Sequence, residues 1–441
     1  MLERLSGWGR HPVVEAQQSF SEDLASITED ASLTRGLARS YGDSSLPLPG
    51  ARAANSTRAD RILSFCDDTG VLRVEAGFTL EEMVRVFLPR RWVTPVTPGT
   101  QFVTVGGMVA SDVHGKNHHV EGCFGQHVLS LRLRVADGRI LEIGPENEPH
   151  LFCATIGGMG LTGHILEVVM QMKRVSSPWI YGESERVESL EELVGKLRSA
   201  SAEWPYTMSW VDSMQRGKSL GRGIVMKGRW ADAHEAPSDP PAEKKRLEFP
   251  VDFPGWVLAP WSMRAFNLAY FYKHVPRQKR GILHPLTFFY PLDIVGQWNR
   301  VYGKRGFVQY QCVLPVDGDS ELCRRFFETL SRAKVGSFLT VVKDCGAEGR
   351  GMLSFPRPGI SVALDLPMRG EDTQAAVDAL NEVVLSSGGR IYLAKDSLTR
   401  PDHFTEMEGD RLTEWNRVRR LWDPSGRIKS AQSVRLLGDE S

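Results

Sequence analysis

The segment SDVHGKNHH, residues 111–119, carries three histidines and one lysine within six consecutive positions beside a glycine-rich turn. Imidazole nitrogens are common zinc ligands, and zinc sites often place two of them four residues apart on one helix. Here Gly115 and the strand-like run before it oppose a helix, and the spacing supplies no obvious acidic ligand. We therefore expect no metal and interpret the segment as the wall of a cofactor pocket.

Three stretches with glycine-rich turns and few side chains at those turns occur in the first 165 residues, at 34–45, 97–119 and 151–165. Successive backbone N–H groups in such turns bind anions, so we expect the first turn to hold a pyrophosphate and Gly106 and Gly107 to expose further donors. Neither a G-x-G-x-x-G nor a P-loop fingerprint is present. One such turn alone is more often structural than functional, but a long ligand with a diphosphate and a flat ring would use all three.

Length and composition bound the class of protein. The 441 residues suit three domains or two larger ones, and 41% hydrophobic with 24% charged residues is ordinary for a globular chain. Lys plus Arg and Asp plus Glu both number 54, so net charge gives no reason to expect a nucleic acid partner.

Cysteine usage and hydropathy indicate the compartment. None of the six cysteines forms a C-x-x-C pair, so we expect reduced, mostly buried thiols and a cytoplasmic protein. The first residues lack the apolar core of a signal peptide, and no run of 18 apolar residues occurs. The nearest to one, residues 255–275, contains Pro, Arg and aromatic residues. It predicts a loop, a helix at an interface, or a surface segment packed on its own domain.

The elements that must position these residues follow an α+β pattern rather than regular βαβ alternation. Residues 61–77 and 129–144 each predict two antiparallel strands joined by a turn, and residues 163–175 predict one more strand. Residues 79–89 predict a short helix with an acidic start.

The middle of the chain predicts a second sheet with helices on one face. The patterns that indicate it are helices at 189–201, near 318–333 and at 371–387, and strands at 222–230, 306–315 and 359–367. A polar, Pro/Ala-rich insert at 231–246 predicts a mobile loop, within a mobile stretch near 231–285.

Four motifs carry a resemblance to a known family. They are R-G-x-x-R-S-Y-G-D at 35–43, P-G-T-x-x-V-T-V-G-G at 98–107, D-x-H-G-K-N-H-H at 112–119 and G-G-x-G-L-T-G at 157–163. Their order resembles the FAD-binding domain of the vanillyl-alcohol oxidase and p-cresol methylhydroxylase (PCMH) flavoprotein superfamily, and within it the decaprenylphosphoryl-β-D-ribose oxidase branch. The resemblance continues through FYPLD at 289–293 and ends with GGRIYLAKDS at 388–397 and EWNRVRRLWDP at 414–424.

The resemblance implies an α+β fold with a two-part, PCMH-type FAD-binding domain and an inserted α+β substrate domain built on an antiparallel sheet. The expected divisions are 1–180 for the first part of the FAD domain, 181–387 for the substrate domain and 388–441 for the C-terminal return. It also implies that FAD is bound without a covalent bond, although some superfamily members attach it through a histidine in this segment.

Cofactor-binding residues carry over by motif. The resemblance implies that the flavin is held by Arg35, Gly36, Leu37, Ala38, Arg39, Ser40, Tyr41, Gly42, Pro98, Gly99, Thr100, Thr104, Gly106, Gly107, Ser111, His114, Gly115, Asn117, Gly160, Gly163, Ile165 and Tyr392. His118 and His119 are expected to pack or hydrogen-bond near it.

Catalytic and substrate residues carry over in the same way. The resemblance implies catalytic roles for Lys395, Lys116 and Tyr41, and substrate contacts from Trp210, Gln309, Gln311, Lys343 and Phe289. A lysine beside the flavin can orient a hydroxyl, stabilise developing negative charge or act as a base. Two departures concern the substrate pocket, because Phe289 replaces a family tyrosine and Ala363 a cysteine of mycobacterial members.

The implied reaction is oxidation of the C2 hydroxyl of a polyprenylphosphoryl-β-D-ribose-like sugar to the 2-keto form, in cell-wall arabinan biosynthesis. The implied partners are that lipid-phosphate sugar and a separate NADH-dependent short-chain reductase, which completes the epimerisation. We also expect contact with the inner face of the membrane, where Lys273, Arg277, Lys279 and Arg280 would meet a phosphate or form an ordinary solvated loop. The alternatives are an oxidase of a soluble alditol or aldonolactone and a non-catalytic lipid-phosphate-binding flavoprotein.

Overall fold

The computed structural model describes residues 1–242, 246–315, 320–333 and 335–440. The strands are β1 Glu3–Ser6, β2 Val13–Phe20, β3 Leu33–Arg35, β4 Arg52–Asn55, β5 Ile62–Phe65, β6 Val71–Glu75, β7 Trp92–Val93, β8 Val128–Arg134, β9 Ile140–Ile143, β10 His164–Gln171, β11 Lys173–Arg174, β12 Ile180–Val187, β13 Tyr206–Val211, β14 Gly223–Trp230, β15 Leu247–Glu248, β16 Gln278–Leu283, β17 Val295–Gly296, β18 Phe307–Leu314, β19 Thr340–Cys345, β20 Gly359–Pro367 and β21 Arg390–Ile391. The helices are α1 Leu24–Ile27, α2 Leu80–Phe87, α3 Val105–Ala110, α4 His118–Glu121, α5 Pro149–Thr155, α6 Leu190–Glu203, α7 Pro260–Tyr272, α8 Pro285–Phe289, α9 Glu321–Arg332, α10 Glu371–Ser386, α11 Pro401–Glu408, α12 Asp410–Trp422 and α13 Ala431–Leu437.

Three sheets organise this mixed α/β structure. The first has the order β1-β2-β4-β3 and includes parallel pairs, whereas the second, β5-β6-β10-β8-β9, is antiparallel. In the described part of the chain the third has eight antiparallel strands in the order β16-β12-β14-β13-β19-β20-β18-β21. The prediction of antiparallel sheets combined with helices is therefore confirmed.

The local predictions hold where the sequence pattern is strong. The two predicted hairpins form as β5–β6 and β8–β9, and β10 joins both of them into one sheet. Helix α2 begins after Thr79, whose side chain accepts the Glu82 N–H, which is an N-cap that the sequence T-L-E-E favours.

The middle region differs from its prediction in detail. The helix expected near 318–333 is α9 from Glu321, and residues 318 and 319 lie outside the described residues. Of the polar insert at 231–246, residues 243–245 also lie outside them. Residues 255–275 contain α7, and β16 follows as an edge strand, so this stretch is regular structure rather than a loop. Each described helix is too short or too polar to span a bilayer.

The eight-stranded sheet has two unlike faces. Side chains alternate along a strand, so Tyr310 and Cys312 of β18 point one way and pack in the apolar core that α9 and α10 cover. Gln309 and Gln311 point the other way and line a cavity. The same alternation on β19 and β20 brings polar residues to this second face, which positions the site.

The C-terminal segment contacts both the large sheet and the N-terminal part of the chain. Strand β21 pairs with β18 at the edge of the large sheet, after which the Lys429 and Ala431 N–H groups donate to the carbonyls of Ser32 and Leu46. Arg435 then donates to the carboxylates of Asp43 and Asp396 at 2.8–2.9 Å. The divisions at 180 and 387 remain predictions, since β21 still belongs to the large sheet.

Replacing Arg435 with alanine would leave two carboxylates, 3% and 7% exposed, without their cation. We expect Arg435→Ala to cost about 3 to 5 kcal/mol, because removing one partner strands the buried charges. For a chain of this size that corresponds to a Tm lower by about 3 to 5 °C. The matched control is Arg417→Ala, which breaks the exposed pair with Glu414 and costs less than about 0.5 kcal/mol. Equal Tm values for the two variants, measured by circular dichroism, would refute this role of Arg435.

Candidate functional site

A cavity of about 920 Å³ lies between the polar face of the large sheet and the three glycine-rich turns. This volume lies near the upper end of the range for sites that bind small molecules or cofactors, so the cavity fits a large organic ligand. The predicted site residues that line it are Gly36, Leu37, Ala38, Arg39, Ser40, Tyr41, Pro98, Gly99, Thr100, Thr104, Gly106, Gly107, Ser111, His114, Gly115, Lys116, Gly160, Gly163, Ile165, Trp210, Gln309, Gln311, Lys343, Tyr392 and Lys395. Residues far apart in sequence therefore meet around one space.

The turn after β3 forms an anion cradle. Within the described residues no acceptor faces the backbone N–H groups of residues 37–40, and Ala38 has a positive φ of 54°. A Cβ at Gly36 would overlap the Thr104 side chain, so only glycine allows this close approach. Unpaired N–H groups in such a turn form a concavity that attracts phosphate oxygens.

Unsatisfied polar side chains surround the same turn. The hydroxyls of Ser44 and Ser45 and the Nε of Arg39 are buried without a hydrogen-bond partner in the described structure, and all three residues line the cavity. Buried polar atoms almost always have a partner. This end of the cavity therefore fits a ligand that carries several acceptor oxygens, as a diphosphate does.

Two residues of this turn that were expected to bind the cofactor do not line the cavity. Arg35 is buried and donates to the carbonyls of Ser45 and Ser6 at 3.1 and 2.6 Å, so its guanidinium braces the turn instead of facing the cavity. Burial lowers its pKa to about 10. Gly42 also lies outside the cavity lining, since it packs against the carbonyl of Asp396.

The second turn provides shape rather than donors. Contrary to expectation, the Gly106 N–H donates to the Ala76 carbonyl and the Gly107 N–H to the Thr104 hydroxyl. Their contribution is a wall without side chains, against which a flat ring can lie. Thr100 is also engaged, because its hydroxyl donates to Asp293 at 3.1 Å.

His114 has both ring nitrogens engaged. The Gln311 side-chain amide lies 3.0 Å from its Nε2, and the Lys343 ammonium lies 3.3 Å from its Nδ1. Burial first, and then Lys343, lower the pKa of His114 well below its ordinary value. The imidazole is therefore neutral and held in one orientation. Tyr392 packs edge-on against it and donates its hydroxyl to the Ser111 carbonyl.

Three other polar residues of the 111–119 segment, Asn117, His118 and His119, lie outside the cavity lining. Asn117 is buried and donates to the Pro95 carbonyl. The Nδ1 of His118 accepts the Gly346 N–H, and the Nε2 of His119 lies 2.9 Å from the Trp204 carbonyl, so both histidines hydrogen-bond to backbone groups. Among the described residues no group of His, Cys, Asp and Glu could hold a metal.

Three lysines, Lys116, Lys343 and Lys395, also line the cavity and have few anionic partners. Lys116 is buried, and its Nζ donates to the Phe289 carbonyl at 2.6 Å. The Nζ of Lys395 lies 3.9 Å from the centre of the Tyr41 ring. Burial lowers the pKa of both Lys116 and Lys395 to about 7 and that of Lys343 in the same direction. Lys116 and Lys395 therefore exchange protons near neutral pH.

An acidic network beside Lys395 escaped the sequence analysis. Asp365 of β20 is fully buried and accepts from Gln309 at 2.6 Å and from the Tyr302 hydroxyl at 2.9 Å. Burial raises its pKa to about 6, against the opposing effects of these partners and of Lys395. Burial also raises the pKa of Tyr41 well above its ordinary value, so this phenol stays protonated. The alternation of side chains along β20 could have indicated Asp365, because it places Asp365 on the same face of the strand as Ala363.

Two residues expected at the substrate end have different environments. Trp210 lines the cavity and donates its indole N–H to the Phe338 carbonyl. The Phe289 ring lies outside the lining and packs against Tyr206 and Trp230. Phe289 therefore contacts the site through its carbonyl, which accepts from Lys116.

Comparison with known proteins identifies relatives of this arrangement. Residues 23–144 match a family model described as an FAD binding domain. The chain is 34% identical to decaprenylphosphoryl-β-D-ribose oxidase of Mycolicibacterium smegmatis, over 98% of this chain and 97% of that protein. It is 31% identical to an uncharacterized protein of Streptomyces coelicolor encoded in the mprA 5′ region, over 81% and 99% of the two chains. It is also 24% identical to D-arabinono-1,4-lactone oxidase of Yarrowia lipolytica, over 37% and 32%.

We expect FAD to be held here without a covalent bond, because Gln311 and Lys343 occupy both nitrogens of His114. Acid precipitation of the purified protein is expected to release yellow flavin into the supernatant. His114→Ala is the matched control, since it has no ring nitrogen to attach, and it should release the same fraction of its flavin. A yellow pellet from the wild type but not from His114→Ala would contradict this expectation.

Proposed function

The chain belongs to the family of FAD-dependent oxidases that includes decaprenylphosphoryl-β-D-ribose oxidase, and on this premise we propose that it oxidises the C2 hydroxyl of a polyprenylphosphoryl-β-D-ribose-like sugar. It is an FAD-dependent oxidoreductase acting on CH–OH groups. The proposed product is the 2-keto sugar, the intermediate of an epimerisation to the arabinose form in arabinan biosynthesis of the cell wall. The observation that carries the proposal is that three desolvated lysines and an anion cradle line one cavity.

When bound, FAD supplies an acceptor for the hydride that leaves the alcohol carbon. The first turn, with its free N–H groups and the buried hydroxyls of Ser44 and Ser45, holds the diphosphate. The bare wall at Gly106 and Gly107, together with His114 and Tyr392, orients the ring system. The donors of the cavity fit this assignment, because its phosphate end has unpaired donors and its ring end has few.

Lys395 is the residue that accepts the hydroxyl proton. Its depressed pKa leaves much of the amine neutral near pH 7, so Nζ can take the proton as the carbon loses hydride. Tyr41, against which Lys395 packs, keeps its own proton and limits where the amine can move. Asp365 is close enough to raise the pKa of Lys395 in part, which retains the new ammonium after transfer.

The other polar residues orient the sugar. Gln309 and Gln311 project from the same face of β18, with one held by Asp365 and the other by His114 and Ser361. Lys116, fixed on the Phe289 carbonyl, presents its remaining N–H groups to the cavity. Each of these side chains is already hydrogen-bonded to another group of the protein. The substrate therefore meets polar groups that are held in position before it binds.

The far end of the cavity suits a prenyl chain attached through phosphate. Phe249, Phe253, Val257 and Phe266 line this end, and Lys273 stands beside them with its Nζ 3.9 Å from the Tyr270 ring centre. Apolar walls with one cation match a lipid phosphate better than a free sugar. Ala363 also lines the cavity, so the smaller residue at this family position leaves extra space there.

We further propose the two-part arrangement, in which residues 1–180 and 388–441 form the FAD-binding domain and 181–387 the substrate domain. Support comes from the backbone bonds of Lys429 and Ala431 to Ser32 and Leu46. A separate NADH-dependent short-chain reductase would consume the 2-keto product. The six free cysteines are consistent with a cytoplasmic setting at the inner face of the membrane.

The substrate test is anaerobic titration of the purified holoprotein, with loss of the visible flavin absorbance as the readout. We expect bleaching by a short-chain polyprenylphosphoryl-β-D-ribose, since it supplies the sugar, the phosphate and an apolar tail. Free ribose at the same concentration is the control and should not bleach the flavin. Bleaching by D-arabinono-1,4-lactone or a free alditol instead would favour the soluble-substrate alternative. A flavin that no sugar reduces would indicate a non-catalytic binding protein.

A further inference from the structure

Helix α7 presents apolar side chains on the side away from the protein. Its inner face carries Met263, Asn267 and Phe271, which are fully buried. Its outer face carries Trp261 and Leu268, whose exposed fractions are 63% and 46%. An amphipathic helix on a globular protein normally shows the opposite pattern, with polar residues outward.

This outer face belongs to a firmly attached helix. Asn267 donates to Asp212 at 2.9 Å and to the Ser337 carbonyl at 3.2 Å, both in buried surroundings. Phe271 packs beneath the Arg222 guanidinium. Because the inner face is specifically bonded, the exposed aromatic residues are a fixed surface of the molecule. Trp256, in the turn before the helix, stacks on Trp261 and is equally exposed.

Basic residues border this surface. The 40 residues from 253 to 292 contain five Lys and Arg and no Asp or Glu, whereas the whole chain has no net charge. Lys279 and Arg280 lie on β16, the edge strand that follows α7, and within the described residues neither has an ion-pair partner. Exposed Trp beside unpaired cations is the composition of a surface that binds anionic lipid.

The surface is continuous with the mouth of the cavity. Phe266 and Tyr270 of α7 line the cavity, and Phe266 is also 48% exposed, so one helix contributes to both. We propose that the outer face of α7, with Trp256 and the basic strand β16, docks on an anionic lipid bilayer and opens the cavity toward it. This inference rests on the proposed lipid-linked substrate, which would then enter without crossing water.

A second copy of the chain fits this surface less well than a bilayer. Lysine and arginine on an exposed edge strand oppose pairing with another strand. Two copies meeting face to face would also bring Lys279 and Arg280 of each copy together, and no acidic residue between 253 and 292 would offset them. A bilayer containing anionic lipid supplies the missing negative charge and receives the aromatic residues.

The test is co-sedimentation of the FAD-loaded full-length protein with vesicles. We expect binding to vesicles of equimolar phosphatidylcholine and phosphatidylglycerol, weaker binding to phosphatidylcholine alone, and release by high salt. Trp261→Ser combined with Leu268→Ser should weaken binding by about tenfold or more, because both side chains leave the interface. Lys279→Gln combined with Arg280→Gln should remove the preference for phosphatidylglycerol.

Matched controls come from helix α12, which precedes the last helix of the chain. Leu421→Ser and Arg420→Gln alter residues of similar exposure outside this surface and should bind as the wild type does. The docking proposal is overturned if wild-type protein does not sediment with either vesicle, if the α7 variant binds normally, or if that variant merely converts a dimer into monomers. Vesicle binding is measured in the absence of substrate. Flavin bleaching by the short-chain substrate is measured in the absence of vesicles. Failure of docking is therefore separable from failure of the proposed oxidation.

Discussion

The site depends on one physical constraint. On one face of the eight-stranded sheet, charged side chains are buried away from water. Strands β18, β19 and β20 have to bury an apolar half against α9 and α10, and their alternation then turns every second residue toward the cavity. The residues that arrive there include Lys343 and Asp365. Their charged forms lose hydration, so the pKa of the amine falls and that of the carboxyl rises. A buried face of this kind is stable only because each group has a hydrogen-bond partner.

The segment that contains α8 couples the two walls of the cavity. The Phe289 carbonyl holds Lys116, and four residues later the Asp293 carboxylate accepts from the Thr100 hydroxyl and the Gln101 N–H. The turn expected to hold the cofactor is thus bonded to the same short segment that fixes a lysine at the substrate end. A shift of either wall would therefore disturb both. The ring of Phe289 is itself held in place by packing against Tyr206 and Trp230.

Sequence patterns anticipated the elements that are local and missed contacts that are not. Hairpins β5–β6 and β8–β9 could be predicted because alternation and turn residues lie within one segment. The motifs located the glycine turns, but they do not indicate which way each side chain points. Arg35 and Asn117 face away from the cavity because they hydrogen-bond to backbone carbonyls elsewhere. The pairing of Tyr302 with Asp365 spans 63 positions, and no single motif contains both residues. Such residues become visible only when the strand order is known.

The central claim is that a desolvated amine, Lys395, accepts the substrate proton, and the pH dependence of flavin reduction tests it most directly. Below a pKa of about 7 the amine is an ammonium ion and cannot take a proton, so the anaerobic reduction rate should rise with pH and level off above that value. Lys395→Arg, which stays protonated, should remove the rise and lower the rate about 100-fold or more. Lys116→Arg, at a lysine with the same depressed pKa, should keep the rise. A rate that rises through the same pH range in Lys395→Arg would contradict the account.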